Sequence, residues 1–269
     1  MTAALRAHWP EYVIEAAGLA AFMISACAFG VLIFHPDSPA YAALGTDLAR
    51  RAVMGVAMGA TAIAIIYSPW GRRSGAHLNP STTLTFLRLG KIARPDAAFY
   101  VAAQFIGAVA GVAISWALLG ASLAHRSTWF VATVPGPAGT LVAFAAELAI
   151  SFLLMSVVLA VSSSRFQRLT GLSAGFLVAI YITFESPISG MSMNPARSFG
   201  SALFAGAFAP LWIYFIAPLF GMQLAAVAMP ARAKRGCAKL DHPPDRPCIF
   251  CGQGRAVPHP TGAQLRLAH

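Results

Sequence analysis

The sequence predicts an all-α membrane protein of six transmembrane helices and two re-entrant half-helices, arranged as an inverted three-plus-three repeat. Three observations carry that expectation. The chain is 58% hydrophobic and only 10% charged, whereas a soluble domain carries about 25% charged residues. Its apolar residues fall into six long runs. A short Ser-Gly…Asn-Pro segment also occurs twice, 115 residues apart. The same composition excludes a disordered chain, nucleic-acid binding as the main role, and an ordinary water-soluble enzyme. A mean hydropathy of +0.67 agrees.

The runs cover residues 12–34, 48–67, 97–119, 141–161, 169–184 and 208–229. A span needs about 20 apolar residues, and 269 residues hold roughly six or seven spans with their connections. Glu11 and Glu15 stand where a cleaved signal would turn from basic to apolar, so the first run is expected to remain as a helix. Small residues recur inside the runs, as in Gly55-x-x-x-Gly59 and Gly107-x-x-x-Gly111. Such spacings let membrane helices approach closely, although Gly and Ala are common throughout. Cys27 lies in an apolar run as a packing or lipid-facing residue.

Orientation follows from the basic residues, because loops on the cytoplasmic side collect Lys and Arg. With both termini cytoplasmic, all of the 19 Lys+Arg except Arg50, Arg51, Arg126 and Arg197 fall inside. The formal charge of +10 is then mainly a record of topology. The expected location is the plasma (inner) membrane, with lipid as the surrounding partner.

Residues 75–89 and 190–204 are too apolar for free loops and too short to span. They are copies: Ser74-Gly75-Ala76-His77-Leu78-Asn79-Pro80 aligns with Ser189-Gly190-Met191-Ser192-Met193-Asn194-Pro195. Glu15 and Glu147 fall in the first helix of each half. The chain thus divides into repeat one (about 1–120) and repeat two (about 121–230), followed by a tail, 231–269. Three spans per repeat force the copies into opposite orientations, an arrangement that places a transport site near the midplane.

Asn is a good N-cap and Pro a good first helical residue, so Asn79-Pro80 and Asn194-Pro195 start the half-helices. A single Asn-Pro is usually an ordinary turn; two at a fixed offset in half-length apolar stretches are not. By inversion the two starts meet near the bilayer centre and aim two positive dipole ends at one point. Irregular backbone ahead of each Asn is tolerable only where it lines a wet cavity. Gly75, Ala76, His77 and Leu78 with Gly190, Met191, Ser192 and Met193 supply that ladder of carbonyls. The result passes neutral hydrogen-bonding solutes and opposes cations and protons.

These residues resemble the aquaporin, or major intrinsic protein, family over roughly residues 12–229. The resemblance rests on Ser74-Gly75-x-His77-x-Asn79-Pro80, on Asn194-Pro195-Ala196-Arg197-Ser198, on Gln104, and on Glu15 and Glu147. It implies a homotetramer with one pore per protomer, no catalytic residue, and no cofactor for the channel. It assigns Asn79, Pro80, Ser81, Asn194, Pro195 and Ala196 to the pore midplane. It gives Glu15 and Glu147 to support of the loop backbone, and Arg197 to the outer constriction. His77 would orient the first loop. Ser81 departs from the usual Ala, for which a slightly more polar midplane is expected. Counting back by family spacing puts the other constriction positions on Gly59, Ile182 and Met191, where strict water channels usually carry Phe and His at the first two. The glycerol-facilitator branch usually has Asp where this chain has Ser198, and a longer third loop. Tyr214-Phe215 resembles the water-channel branch. The expectation is a passive channel for water and small uncharged solutes. The alternative is a channel for a larger or less polar neutral solute (glycerol-like, ammonia, metalloid hydroxide).

After Met229 the composition turns rich in Pro, Arg and His. The tail holds Cys237-x₄-His242-x₅-Cys248-x₂-Cys251, three thiols and an imidazole suited to tetrahedral zinc; His259 is a weaker ligand. The competing reading is a flexible tail with idle cysteines, since so much Pro discourages a core. Three other classes fit less well. A membrane redox enzyme would need cofactor motifs within the spans, and an ion-coupled transporter would need coupling carboxylates. A signalling role for the tail is compatible with a pore.

Overall fold

The computed structural model describes residues 1–233, 235–242 and 248–251. Lys234, Arg246, His259, Arg255 and Arg266 lie outside the described residues. Eight helices carry the architecture: α1 (Thr2–Phe34), α2 (Asp47–Tyr67), α3 (Pro80–Arg88), α4 (Arg94–Leu119), α5 (Thr140–Ser162), α6 (Thr170–Phe184), α7 (Pro195–Ala205) and α8 (Leu211–Ala228). No strand occurs among the described residues.

Five of these helices are long and apolar enough to cross a membrane. The fifth apolar run behaves differently from the expectation of a full span. Its helix α6 has 15 residues, about 22 Å at 1.5 Å per residue, against a hydrocarbon core of about 30 Å. A 3₁₀ turn, Gln167–Leu169, precedes it and a helical turn, Ser186–Ser189, follows it.

The repeat is visible in the packing. Helix α1 packs on α4 and α5 on α8, while α2 packs on α6 across the centre. The glycines explain the closeness. A Cβ on Gly107 would stand 2.1 Å from the Ala16 carbonyl oxygen, and one on Gly221 would stand 2.3 Å from that of Leu148. Gly55 and Gly59 seat α2 on α6 in the same way, 2.4 Å from Ala179 O and 2.5 Å from Gly175 O. Where lipid gives no hydrophobic drive, this backbone contact is what association rests on.

Both described ends of the chain lie at the same end of the bundle. Arg73 Nε meets Glu11 Oε1 at 3.0 Å, and His8 Nδ1 meets Asp96 Oδ1 at 2.8 Å. Tyr12 shares an apolar cluster with Ala238 and Leu240 of the tail. At the opposite end, Arg51 Nε donates to Thr183 O at 3.1 Å. There the connection between α4 and α5 closes over the second re-entrant segment, with Gly136 N donating to Ile188 O at 2.9 Å.

Candidate functional site

Each half-helix begins as its sequence dictates. Asn79 and Asn194 have extended backbones and Pro follows each. Asn79 Oδ1 accepts from Ser81 N at 2.9 Å, and Asn194 Oδ1 accepts from Ala196 N at 3.1 Å and Arg197 N at 3.3 Å. The carboxamide nitrogens cross over. Asn79 Nδ2 donates to Met193 O and Asn194 Nδ2 donates to Leu78 O, both at 2.7 Å. Each –NH₂ carries a second donor beyond that bond, and both Asn residues lie on the wall of one cavity of about 550 Å³.

The segments ahead of the half-helices adopt left-handed backbone at matching places. In the first, Gly75, Ala76 and Leu78 have φ of 98°, 52° and 50°; in the second, Gly190, Met191 and Met193 have 82°, 51° and 54°. Non-glycine residues occupy this region only when their surroundings hold them there. A buried carboxylate does so in each half. Glu15 Oε1 accepts from Ser74 Oγ (2.8 Å) and His77 N (3.0 Å), and Oε2 from Leu78 N (2.7 Å) and Gln104 Nε2 (2.9 Å). Glu147 Oε1 accepts from Ser189 Oγ (2.8 Å) and Ser192 N (2.6 Å), and Oε2 from Met193 N (2.7 Å). Tyr100 and Tyr214 complete the pattern by donating to the carbonyls of Ser74 (2.7 Å) and Ser189 (2.5 Å). Nothing in the sequence reading pointed to these two phenols as clamps, although they sit 114 residues apart, as Gln104 and Pro218 do.

The cavity extends through the bundle from Arg51 and Gly136 at one end to Leu240 of the tail at the other. Its wall includes Ala76, His77, Leu78, Gly190, Met191, Ser192 and Met193, as well as Ile182 and Arg197. Gly75 is not on it. Arg197 Nη1 is buried without a hydrogen-bond partner. Pro80, Ser81, Pro195 and Ala196 sit behind the two Asn residues, off the wall. The expected polar contribution of Ser81 to the midplane is therefore absent: its side chain is fully buried and its hydroxyl has no hydrogen-bond partner.

Gly59 is corrected as well. It faces Gly175 of α6, and its neighbour Met58 lines the cavity with Met54, Ala62 and Ile66. The count back from Asn79 crosses the short helix Pro69–Ser74, and a register error of one residue turns a helical side chain by about 100°. Arg51, set aside in the sequence as an exception to the charge rule, stands on the wall too.

In the tail, the ligand atoms of Cys237, His242, Cys248 and Cys251 all lie within 4.8 Å of one another. Cys237 and Cys248 Sγ are 3.5 Å apart, and His242 Nε2 is 3.2 Å from Cys251 Sγ. Zn–S bonds of about 2.3 Å and Zn–N bonds of about 2.0 Å put tetrahedral ligand atoms about 3.5–3.8 Å apart. The cluster can therefore hold a metal ion with small movements.

Comparison with known proteins agrees with this geometry. Residues 6–229 match the description Major intrinsic protein. Aquaporin NIP1-3 of Oryza sativa subsp. japonica is 38% identical over 176 residues, covering 64% of this chain and 59% of its own. Aquaporin-6 of Rattus norvegicus is 39% identical over 176 residues, covering 62% and 60%. The matched region thus spans about three-fifths of the length of these relatives. In fold, the chain is similar to the X-ray structure of the aquaglyceroporin from Plasmodium falciparum, with a TM-score of 0.65 at 19% identity over 82% of this chain and 95% of that one. With two Asn-Pro half-helices meeting on one cavity and a family match across most of its length, the chain belongs to the major intrinsic protein family.

Proposed function

We propose that the protein is a passive membrane channel for water and small uncharged solutes, closed to ions and protons. The observation that carries this is the pair of crossed Asn carboxamides on the wall of one cavity between Arg51 and Leu240. Donors and two half-helix N-termini converge there, which disfavours a cation and interrupts a chain of waters able to relay protons. Arg197 adds a permanent charge toward the mouth opposite the tail. No group along this path needs to titrate, so neither ion coupling nor catalysis is part of the reading.

The wall beside Arg197 favours a second reading of the solute. Met58, Ile182 and Met191 are apolar there, and flexible Met side chains adapt to irregular shapes. This suits a solute with an apolar face, such as a glycerol-like polyol, ammonia or a metalloid hydroxide, alongside or in place of water. The basic residues at the tail end support a cytoplasmic tail and a plasma-membrane location by the positive-inside rule. The family resemblance supports a homotetramer with a pore in each protomer, and the Cys₃His donor set supports structural zinc in the tail.

Stopped-flow light scattering of proteoliposomes tests the channel, with a panel of water, glycerol, urea, ammonia and hydrogen peroxide. The protein is assayed both as purified and after zinc chelation. Flux above that of empty liposomes for at least one neutral solute is expected. Flux equal to empty liposomes for every solute in both states would overturn the reading.

A further inference from the structure

The described part of the tail enters the mouth of the channel. Ala238, Lys239, Leu240 and Asp241 are all buried. Leu240 N donates to Gly75 O at 3.1 Å, and His77 Nε2 donates to Ala238 O at 3.0 Å. The Phe250 ring stacks on His77 with centroids 5.5 Å apart and planes 11° from parallel. Arg72 Nε holds Asp241 Oδ2 at 2.6 Å. Leu240 also forms part of the cavity wall, near Ile66, Ala76 and His77.

Two features make this a closure. Gly75 opens the re-entrant segment, and with its carbonyl held by the Leu240 amide it lies off the cavity wall. Leu240 itself lines the cavity at that end. The four candidate metal ligands also bracket the two contacting segments. Cys237 and His242 flank 238–241, while Cys248 and Cys251 flank Ile249-Phe250. One ion would tie the ends of both segments together. Without that tie, an irregular segment must meet its ordering entropy from a few contacts alone.

We propose that the Cys₃His cluster binds a thiophilic divalent cation of the zinc class, and that the bound ion locks residues 238–241 and 249–250 as a plug in the tail-side mouth. Metal loading closes the channel and metal loss opens it. The inference rests on the channel reading above. Zinc at about 100 times its Kd shifts the closed-to-open ratio about 100-fold when only the docked tail binds it.

The test uses the full chain in proteoliposomes, loaded with zinc or stripped by a membrane-permeant chelator. Water permeability is measured alongside metal content and hydrogen exchange of the 238–241 backbone. The expected result is one zinc per chain, a several-fold rise in permeability on stripping, and faster exchange at Leu240. Cys248→Ser should lose the zinc and stay open in either condition. Leu240→Gly with Asp241→Asn should keep the zinc and still leak, because the ligands remain while the seat is lost. Full zinc occupancy with the same permeability and exchange in both states would overturn the plug. Zinc well below one equivalent, unchanged in Cys248→Ser, would overturn the metal site and the proposal with it. Metal-dependent exchange without flux in any state would instead defeat the channel reading, and the proposed control of flux with it.

Discussion

Replacing Glu147 by Gln keeps the shape of the side chain and removes one acceptor from a group whose three hydrogen-bond partners are all donors. The carboxylate receives Ser189 Oγ, Ser192 N and Met193 N. With the new amide nitrogen toward Met193, two buried donors are stranded: Met193 N–H and the amide itself. Turned the other way, Ser189 Oγ can accept from the amide and turn its proton to the Glu185 carboxyl, which is buried without a partner, but Ser192 N–H is stranded. Either orientation leaves at least one backbone N–H of the re-entrant segment without an acceptor. A stranded buried group costs about 1–3 kcal/mol. At about 2–4 °C per kcal/mol for a chain of this size, the thermal midpoint of Glu147→Gln in detergent should lie at least about 2 °C below that of the unsubstituted protein. An equal or higher midpoint would refute the acceptor count.

Met58→Ala should widen the constriction and raise glycerol uptake more than water uptake in proteoliposomes; equal changes would remove Met58 from the filter. Gly59→Phe should instead cost folded yield, because its ring is driven at the Gly175 carbonyl and overpacking of this kind costs about 1–3 kcal/mol or more; a well-folded variant with altered selectivity would restore Gly59 to the pore. Arg197→Val should raise proton leak, read with an entrapped pH dye, while leaving water flux measurable. Tyr214→Phe should lower the thermal midpoint by about 1 kcal/mol equivalent through loss of one buried hydrogen bond, and Tyr100→Phe should match it if the two clamps are equivalent.

The parts of this molecule legible in the sequence are those that depend on local pattern. Apolar runs gave five spans and a sixth, shorter helix, and the constant offset between the two Ser-Gly…Asn-Pro copies exposed the inverted repeat. The capping chemistry of Asn-Pro located the half-helix starts to the residue. What failed depends on register or on distant surfaces. Gly59 and Met58 are adjacent in sequence and face different neighbours, and only the path of Pro69–Ser74 decides which one sees the cavity. Ser81 carries a polar group, but the helix start turns it away from the lumen. The tail has no apolar periodicity at all. Leu240 and Phe250 become meaningful only beside Gly75 and His77, more than 150 residues earlier in the chain.

The inverted repeat also explains how one scaffold can treat its two ends differently. Duplication alone would give two equal mouths, so any difference must come from positions where the copies diverge. Three such pairs stand on or beside the path: Thr82 against Arg197, Gln104 against Pro218, and His77 against Ser192. The first puts a permanent cation on one side of the midplane and a neutral hydroxyl on the other. The second gives one buried carboxylate an extra donor. The third sets the fate of the mouths. Ser192 Oγ turns inward to Ser198 Oγ at 2.5 Å, and Ser198 binds Thr133 Oγ1 at 2.6 Å, so that mouth is tied to its own connecting loop. His77 offers Nε2 outward, where the tail carbonyl of Ala238 takes it. A fixed charge at one end and a dockable imidazole at the other follow from a few divergent residues, while the crossed Asn residues between them remain the same.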